Sequence, residues 1–328
     1  MRVLQIGLGS IGCAVSRLLV QKTGWTIVAA VDADPAKYGR DLGEVIGLGH
    51  SLGVTVQGDL STLQDTDIDL AFLTTVSAFP AVLPTLSTLI QQGIDVVSST
   101  EELFYPYHRY AAQAAALDEL AKQHGVSLLG TGINPGFVMD TLVLVLTGAC
   151  QHITRLAVTR VTNASGARAS LQTKLGLGLP PELFAMHATQ GQVGDFGLVD
   201  SLAFVAHILK WHIDELKERL VPVIAEKPVR LGQRQVERGQ VCGVRYTVKG
   251  MRHGKEAISF DLRTYLEAEH VRDTIYIEGT PTLEVSLKST DMGDIAAAGL
   301  LVNMSSLVRQ ARPGLLTMVD LPLPHWQR

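Results

Sequence analysis

The sequence contains no Cys-x-x-Cys pair, no apolar run long enough to cross a bilayer and no cluster of lysine and arginine, and each absence excludes a class of protein. Its three cysteines, Cys13, Cys150 and Cys242, stand far apart and without zinc-ligand spacing to histidine, so neither a disulfide framework nor a structural zinc site is expected. The most apolar stretches, residues 141–147 and 202–209, are much shorter than a bilayer-spanning helix and read as core segments. With a formal charge of −4 and scattered basic residues, no surface for nucleic acid is indicated. Nor does a charged leader with an apolar region precede the first strand-like run, residues 2–6, so a cytoplasmic protein with reduced thiols is expected. His187, His207 and His212 fall in helical stretches without an acid at ligand spacing, and no metal is expected.

What is present is enough apolar material, 46% of 328 residues, for the cores of two domains. Through the first half, short β-branched runs alternate with helical patterns, as in βαβ units around a parallel sheet buried on both faces. Strands are expected at residues 2–6, 26–31, 54–57, 70–74, 95–99 and 126–129, and helices at 11–21, 81–92 and 109–124, the last closed by Gly125. Beyond about residue 150 the pattern changes. Residues 155–162, 244–251, 258–266 and 274–287 read as strands of a mostly antiparallel sheet, 181–220 as a helical insertion, and 296–309 as a closing helix. The expected fold is α/β: a Rossmann doubly wound parallel sheet over residues 1–140, then an α+β domain over 141–328 whose closing helix packs back toward the first domain.

Between the first strand and the first helix lies Gly7-Leu8-Gly9-Ser10-Ile11-Gly12, and Asp32 follows 20 residues after Gly12, at the end of the next strand. That context makes the glycine pattern a dinucleotide fingerprint. The first glycine permits the tight turn, the second lets backbone approach a diphosphate, and the third lets helix and strand pack closely. Backbone N–H groups at Ser10 and Ile11, opening the helix, face the diphosphate charge. Asp32 suits a ribose 2′-hydroxyl and repels a 2′-phosphate, which favours NAD over NADP. Lys37 and Arg40 lie close enough in sequence for either to swing to a phosphate, which leaves both cofactors open. Thr74, Thr75, Ser77 and Thr100 fall at carboxyl ends of further strands, either as cofactor contacts or as ordinary capping hydroxyls.

Two further segments hold chemistry-bearing groups. Glu101 and Glu102 follow the strand at 95–99, either as reactive acids or as carboxylates placed at a helix N-terminus. Gly130-Thr131-Gly132-Ile133-Asn134-Pro135-Gly136-Phe137 follows the last Rossmann strand, as a ligand-facing loop, an interdomain hinge, or both.

Taken in order, Ser99-Thr100-Glu101-Glu102-Leu103, Gly132-Ile133-Asn134-Pro135-Gly136-Phe137, the stretch from Asp273 through Gly279-Thr280-Pro281, and Pro313-Gly314-Leu315-Leu316 through Asp320-Leu321-Pro322 resemble the 2,4-diaminopentanoate dehydrogenase and native amine dehydrogenase family. The wider fold resembles dihydrodipicolinate reductase, whose His-His-x-x-Lys signature the sequence lacks. The resemblance implies NAD(P)H-dependent reductive amination of a small ketone or aldehyde with ammonia, the reverse deamination, and a homodimer. It also implies a glutamate that holds the amine nitrogen. The match falls on the acid pair, where the distance to the Asn-Pro-Gly motif favours Glu102, while a one-residue alignment shift would choose Glu101 instead. Substrate contacts are implied at Asn134, Arg160 and Asn163, with His270 a further candidate and Phe137 an apolar neighbour. Asn303 is expected near the nicotinamide. Two segments depart from the family pattern: Gly194-Asp195-Phe196-Gly197-Leu198, and Asn303-Met304-Ser305-Ser306. Reduction of a preformed imine or oxo group, and a non-catalytic NAD(P)-binding regulator, stand beside the amine reading.

Overall fold

The structure, a computed structural model, describes residues 1–62, 67–194, 196–288 and 293–326. The chain divides into a unit of residues 1–137 with 291–328 and a unit of residues 138–290. The last segment therefore belongs to the first unit rather than to a continuous domain from residue 141 to the end.

In the first unit, β1 (Arg2–Ile6), α1 (Ser10–Val20), β2 (Thr26–Val31), α2 (Leu42–Val45), β3 (Val56–Gln57), β4 (Leu70–Leu73), α3 (Phe79–Gln91), β5 (Asp95–Ser98), α4 (Ala111–His124) and β6 (Ser127–Gly130) follow one another. The second unit holds α5 (Thr141–Thr147), β7 (His152–Asn163), α6 (Ala169–Lys174), α7 (Pro181–Thr189), α8 (Leu198–Ile208), β8 (Glu215–Ile224), β9 (Val229–Leu231), β10 (Arg234–Val236), β11 (Val241–Arg252), β12 (Lys255–Tyr265), β13 (Arg272–Thr280) and β14 (Leu283–Leu287). The chain then returns to the first unit through α9 (Asp294–Arg309) and β15 (Gly314–Leu316).

The first sheet is parallel throughout, in the order β15-β6-β5-β4-β1-β2-β3. Its strands are apolar on both sides because both faces are covered. Leu4, Ile6, Ala71, Leu73, Val96 and Leu128 pack with Phe79, Leu86 and Leu89 of α3 and Leu117 of α4. Helices α1 and α9 pack together, α9 over β4, β5 and β6. Arg309, in the last turn of α9, is fixed by Asp95 at 2.7 Å, and the other oxygen of Asp95 accepts from Ser127 N at 2.7 Å. One buried carboxylate thus ties the returning helix to two central strands.

The second unit's sheet runs β14-β13-β7-β12-β11-β8, antiparallel except for β7 beside β12. Its core lies on one face, where Val158, Phe260, Ile275 and Ile277 are buried. Helix α8 packs on β11 and β12 of the same sheet.

Two expectations are corrected, and one strand was not foreseen. Residues 215–220, expected as helix, open strand β8. Glu215, Lys217, Glu218 and Arg219 are helix-forming residues that also protect an exposed edge, and Pro222 is tolerated because an edge strand leaves one side unpaired. The run at 274–287 is a hairpin, β13 and β14, broken where Pro281 cannot donate to the ladder. Strand β15 follows Pro313 and is three residues long, too short to show a period.

After β2, helix α2 and the loop that follows it to residue 53 are organised by Asp41, which accepts from Gly43, Leu52 and Gly53 N–H groups and from the Ser51 hydroxyl. The Leu52 N–H, followed by the Ser51 and Gly43 donors, holds its carboxyl down to about 2 from the usual 3.8. A carboxyl depressed in the fold stabilises it fully above its ordinary value, and that contribution disappears as pH falls through the depressed one. Asp41→Asn is therefore expected to lower the melting temperature near neutrality. The gap from wild type should close as the pH is taken from about 4 to about 2, as followed by scanning calorimetry.

Candidate active site

At the carboxyl end of the parallel sheet, the turn from β1 into α1 carries the glycine fingerprint. Gly7 has φ +86°, and its N–H reaches Val31 O at 2.8 Å. A Cβ on Gly12 would stand 1.9 Å from Gly7 O, and one on Gly7 would stand 2.6 Å from Thr74 O. A Cβ on Gly9, by contrast, would meet no atom within 4 Å. Two glycines are thus demanded by the protein's own packing, while the third borders open space. Helix α1 starts at Gly9 with no side-chain cap and no acid in its first turn. Its first N–H groups, Ser10 and Ile11 among them, are left for an anion such as a diphosphate.

Beside this loop, Asp32 is 9% exposed and accepts from Leu8 N at 2.5 Å and Asp34 N at 2.8 Å. A cavity of about 420 Å³ adjoins it, lined by Gly7, Asp32, Ala33, Gly58, Asp59, Thr75 and Thr88 among others. All these residues belong to the first unit. The fit to a dinucleotide is direct: an uncapped helix start for the diphosphate, an acid for a ribose and a cavity for the adenine.

The hydroxyls expected at strand ends divide. Thr74 is buried, accepts from Gln5 Nε2 at 2.8 Å and donates toward Ile6 and Gly7 carbonyls, so it props the glycine turn from below. Thr100 is buried and donates to Val76 O at 2.9 Å. Thr75 lines the cavity, and exposed Ser77 donates to Glu101 Oε1 at 3.2 Å. Asn303 lies half-buried on α9.

The two acids have different surroundings. Glu102 Oε2 accepts from Phe79 N at 2.8 Å and from Tyr110 Oη at 3.0 Å, and its Oε1 lies 3.7 Å from Arg109. Helix α3 begins at Phe79 with Ala78 as N-cap and no capping side chain of its own. Glu102 supplies that cap from across the fold, where its charge also suits the helix dipole. Glu101, half-buried on the same short turn, is hydrogen-bonded by Ser77 of the neighbouring strand-end loop. The sequence missed Arg109 and Tyr110 because both were read as helix, whereas α4 starts at Ala111 and leaves them to reach Glu102.

In the second unit, Arg160 and Asp273 face each other across β7 and β13 at 2.9 Å, and both are at least 94% buried by side chain. Burial pushes the Asp273 carboxyl up and the Arg160 guanidinium down, with their mutual attraction opposing each shift. Asn163 ends β7 and accepts from Ser165 N at 2.9 Å, forming a turn. His270 is exposed with φ +55° in the connection between β12 and β13. Asn134 and Phe137 are half-buried at the end of the first unit's leading segment. Of the segment 194–198 that departs from the family pattern, Asp195 lies outside the described residues.

A doubly wound sheet with this fingerprint, acid and cavity, joined to an α+β unit, defines an NAD(P)-dependent oxidoreductase. Residues 137–327 match the family described as the 2,4-diaminopentanoate dehydrogenase C-terminal domain, and the chain belongs to that family. Residues 1–128 match the family described as dihydrodipicolinate reductase, N-terminus. The chain is similar to the 2,4-diaminopentanoate dehydrogenase of Acetoanaerobium sticklandii, at 28% identity over 98% of this chain and 94% of the relative. It is also similar to an amine dehydrogenase of Streptomyces virginiae, at 24% identity over 97% and 95%. Among solved structures it resembles the amine dehydrogenase from Mycobacterium smegmatis, with TM-score 0.90 and 25% identity over 100% of this chain and 97% of that one. No helix of the described residues is long and apolar enough to cross a membrane.

Proposed function

We propose that the chain is an NAD(P)H-dependent amine dehydrogenase that converts a small ketone or aldehyde and ammonia to an amine, and runs the reverse deamination. The observation that carries the reading is Glu101, a carboxylate at the carboxyl edge of the parallel sheet in the same unit as the glycine turn. Near end-to-end similarity to proteins named for amine substrates supports it.

Ammonia adds to the carbonyl carbon, its nitrogen passing a proton to a carboxylate while the oxygen takes one from solvent. The carboxyl then returns its proton to the hydroxyl, which leaves as water, so that a positively charged C=N bond faces a restored carboxylate. A carboxylate about 4 Å from that cation attracts it by about 4 kcal/mol at an effective dielectric near 20, far more than it would a neutral ketone. We assign this role to Glu101, which would also take the proton that ammonia loses on addition. The Ser77 hydroxyl fixes the carboxylate's direction. Glu102, its charge spent on Phe79 N, Tyr110 and Arg109, holds the turn that presents Glu101. A dinucleotide bound at the glycine turn would supply the hydride. Asn134, Phe137, Arg160, Asn163 and His270 are kept as proposed substrate contacts and Asn303 as a proposed nicotinamide contact. A homodimer in the cytoplasm belongs to the same proposal, and sedimentation velocity checks its mass.

The test follows NAD(P)H absorbance with small ketones and aldehydes, with and without ammonium. Turnover that requires ammonium is the expected result. Turnover without ammonium would replace the proposal by reduction of a preformed imine or oxo group. Tight cofactor binding without turnover on any substrate would favour a regulator.

A further inference from the structure

We infer that Thr100 is a positioning residue for amination: its buried hydroxyl registers the turn that carries Glu101 against the loop leaving β4. The inference rests on the Glu101 assignment above and deepens it.

Thr100 is 1% exposed, so its side chain presents almost no surface to a bound cofactor. It stands at the N-cap of the short turn Glu101–Leu103, where a threonine ordinarily accepts from N–H groups of its own turn. It makes no such bond. The hydroxyl instead donates to Val76 O, 24 residues back in the chain, at 2.9 Å. A residue suited to a local cap is thus used for a distant tie, between the segments that follow the neighbouring parallel strands β4 and β5.

That tie belongs to a series. At the strand ends, Ser98 Oγ accepts from Thr100 N at 3.1 Å and donates to Leu73 O at 2.8 Å, joining β5 to β4. Further along, Glu102 N donates to Ser77 O at 3.1 Å, and Ser77 Oγ donates to Glu101 Oε1 at 3.2 Å. Thr100 is the link between the covered strand ends and the half-buried acid. On its other side the turn meets β6, where a Cβ on Gly130 would stand 2.5 Å from Leu103 C and O, so backbone lies directly on backbone.

A valine at position 100 would keep the volume and the branched Cβ but could not donate to Val76 O. Ser77 follows Val76 directly, so a shift of that peptide moves both the carbonyl that holds Glu102 N and the hydroxyl that holds Glu101. A reacting group misplaced by about 1 Å can lose about 10²-fold in rate. A fraction of that displacement is enough for a measurable loss.

The experiment measures kcat and KM for amination by the full-length protein, with NAD(P)H, ammonium and the fastest ketone or aldehyde of the panel above. The variants are Thr100→Val, Thr100→Ser, Glu101→Gln and the double variant Thr100→Val/Glu101→Gln. Thr100→Val is expected to lower kcat by about tenfold with KM for NAD(P)H moved by less than about threefold, while Thr100→Ser, which keeps the donor, recovers most of the rate. In the Glu101→Gln background the same valine should cost less than about threefold, because the group it positions is already disabled. Thr100→Ala takes the place of the valine variant if that one does not fold. Wild-type kcat without the hydroxyl, an equal loss with and without the Glu101 carboxylate, or a loss that serine does not restore overturns the role given to Thr100. A Glu101→Gln enzyme that aminates at the wild-type rate, or a wild type that turns over no member of the panel, overturns the underlying reading instead.

Discussion

Replacing Glu101 by glutamine is expected to lower kcat for amination by about 10²- to 10⁴-fold, the usual contribution of a positioned acid–base group, with the protein still folded and still binding NAD(P)H. The amide keeps the volume and the bond from Ser77 but has no charge to set against a C=N cation and no basicity for the ammonia proton. Glu102→Gln provides the contrast. Its amide oxygen can still accept from Phe79 N or Tyr110, but the charge that faces the start of α3 and Arg109 is gone, so the larger effect should fall on melting temperature. Steady-state kinetics and thermal melts on the two variants separate the roles. A Glu101→Gln enzyme that aminates at the wild-type rate, beside a folded but inactive Glu102→Gln enzyme, would return the chemistry to Glu102.

The second large effect is expected from Asp273→Ala. Removing one partner of a buried ion pair typically costs about 3–5 kcal/mol, because the remaining charge keeps its desolvation penalty and loses its counter-charge. Asp273 faces Arg160 at 2.9 Å, and among the described residues its Oδ1 has no hydrogen-bond partner. The pair is thus incompletely satisfied even in the native fold, and exchanging both members for apolar residues should be close to neutral. Denaturant melts of Asp273→Ala and of the double variant Arg160→Met/Asp273→Leu check this. If the single variant loses less than about 1 kcal/mol, the pair does not hold the sheet. If the double variant is stable but turns over poorly, Arg160 acts on substrate as the family resemblance implies.

How much of this was legible follows from the range over which each interaction acts. The buried strands of the first sheet are continuous apolar runs bounded by turns, and β1 and β2 match their expected limits residue for residue. The fingerprint and Asp32 were readable because strand, turn and helix are contiguous in sequence. Strand β8 was not, because the charges that guard an edge also favour a helix in isolation. The capping contact made by Glu102 was hidden for a different reason. Glu102 caps a helix that starts 23 residues earlier in the chain, and no local spacing reports a cap supplied from that distance. The same holds for Arg160 and Asp273, 113 residues apart and opposed only by the register of β7 and β13.

The late return of the chain through α9 and β15 has a practical meaning for anyone dividing the protein. A fragment cut after residue 137 would contain the whole glycine fingerprint, yet it would lack Arg309 for Asp95 and would present the backbone of β6 as an open margin where β15 belongs. Such margins recruit other chains. The nucleotide-binding part of this molecule is thus not a detachable module, and synthesis must pass residue 316 before that part is closed.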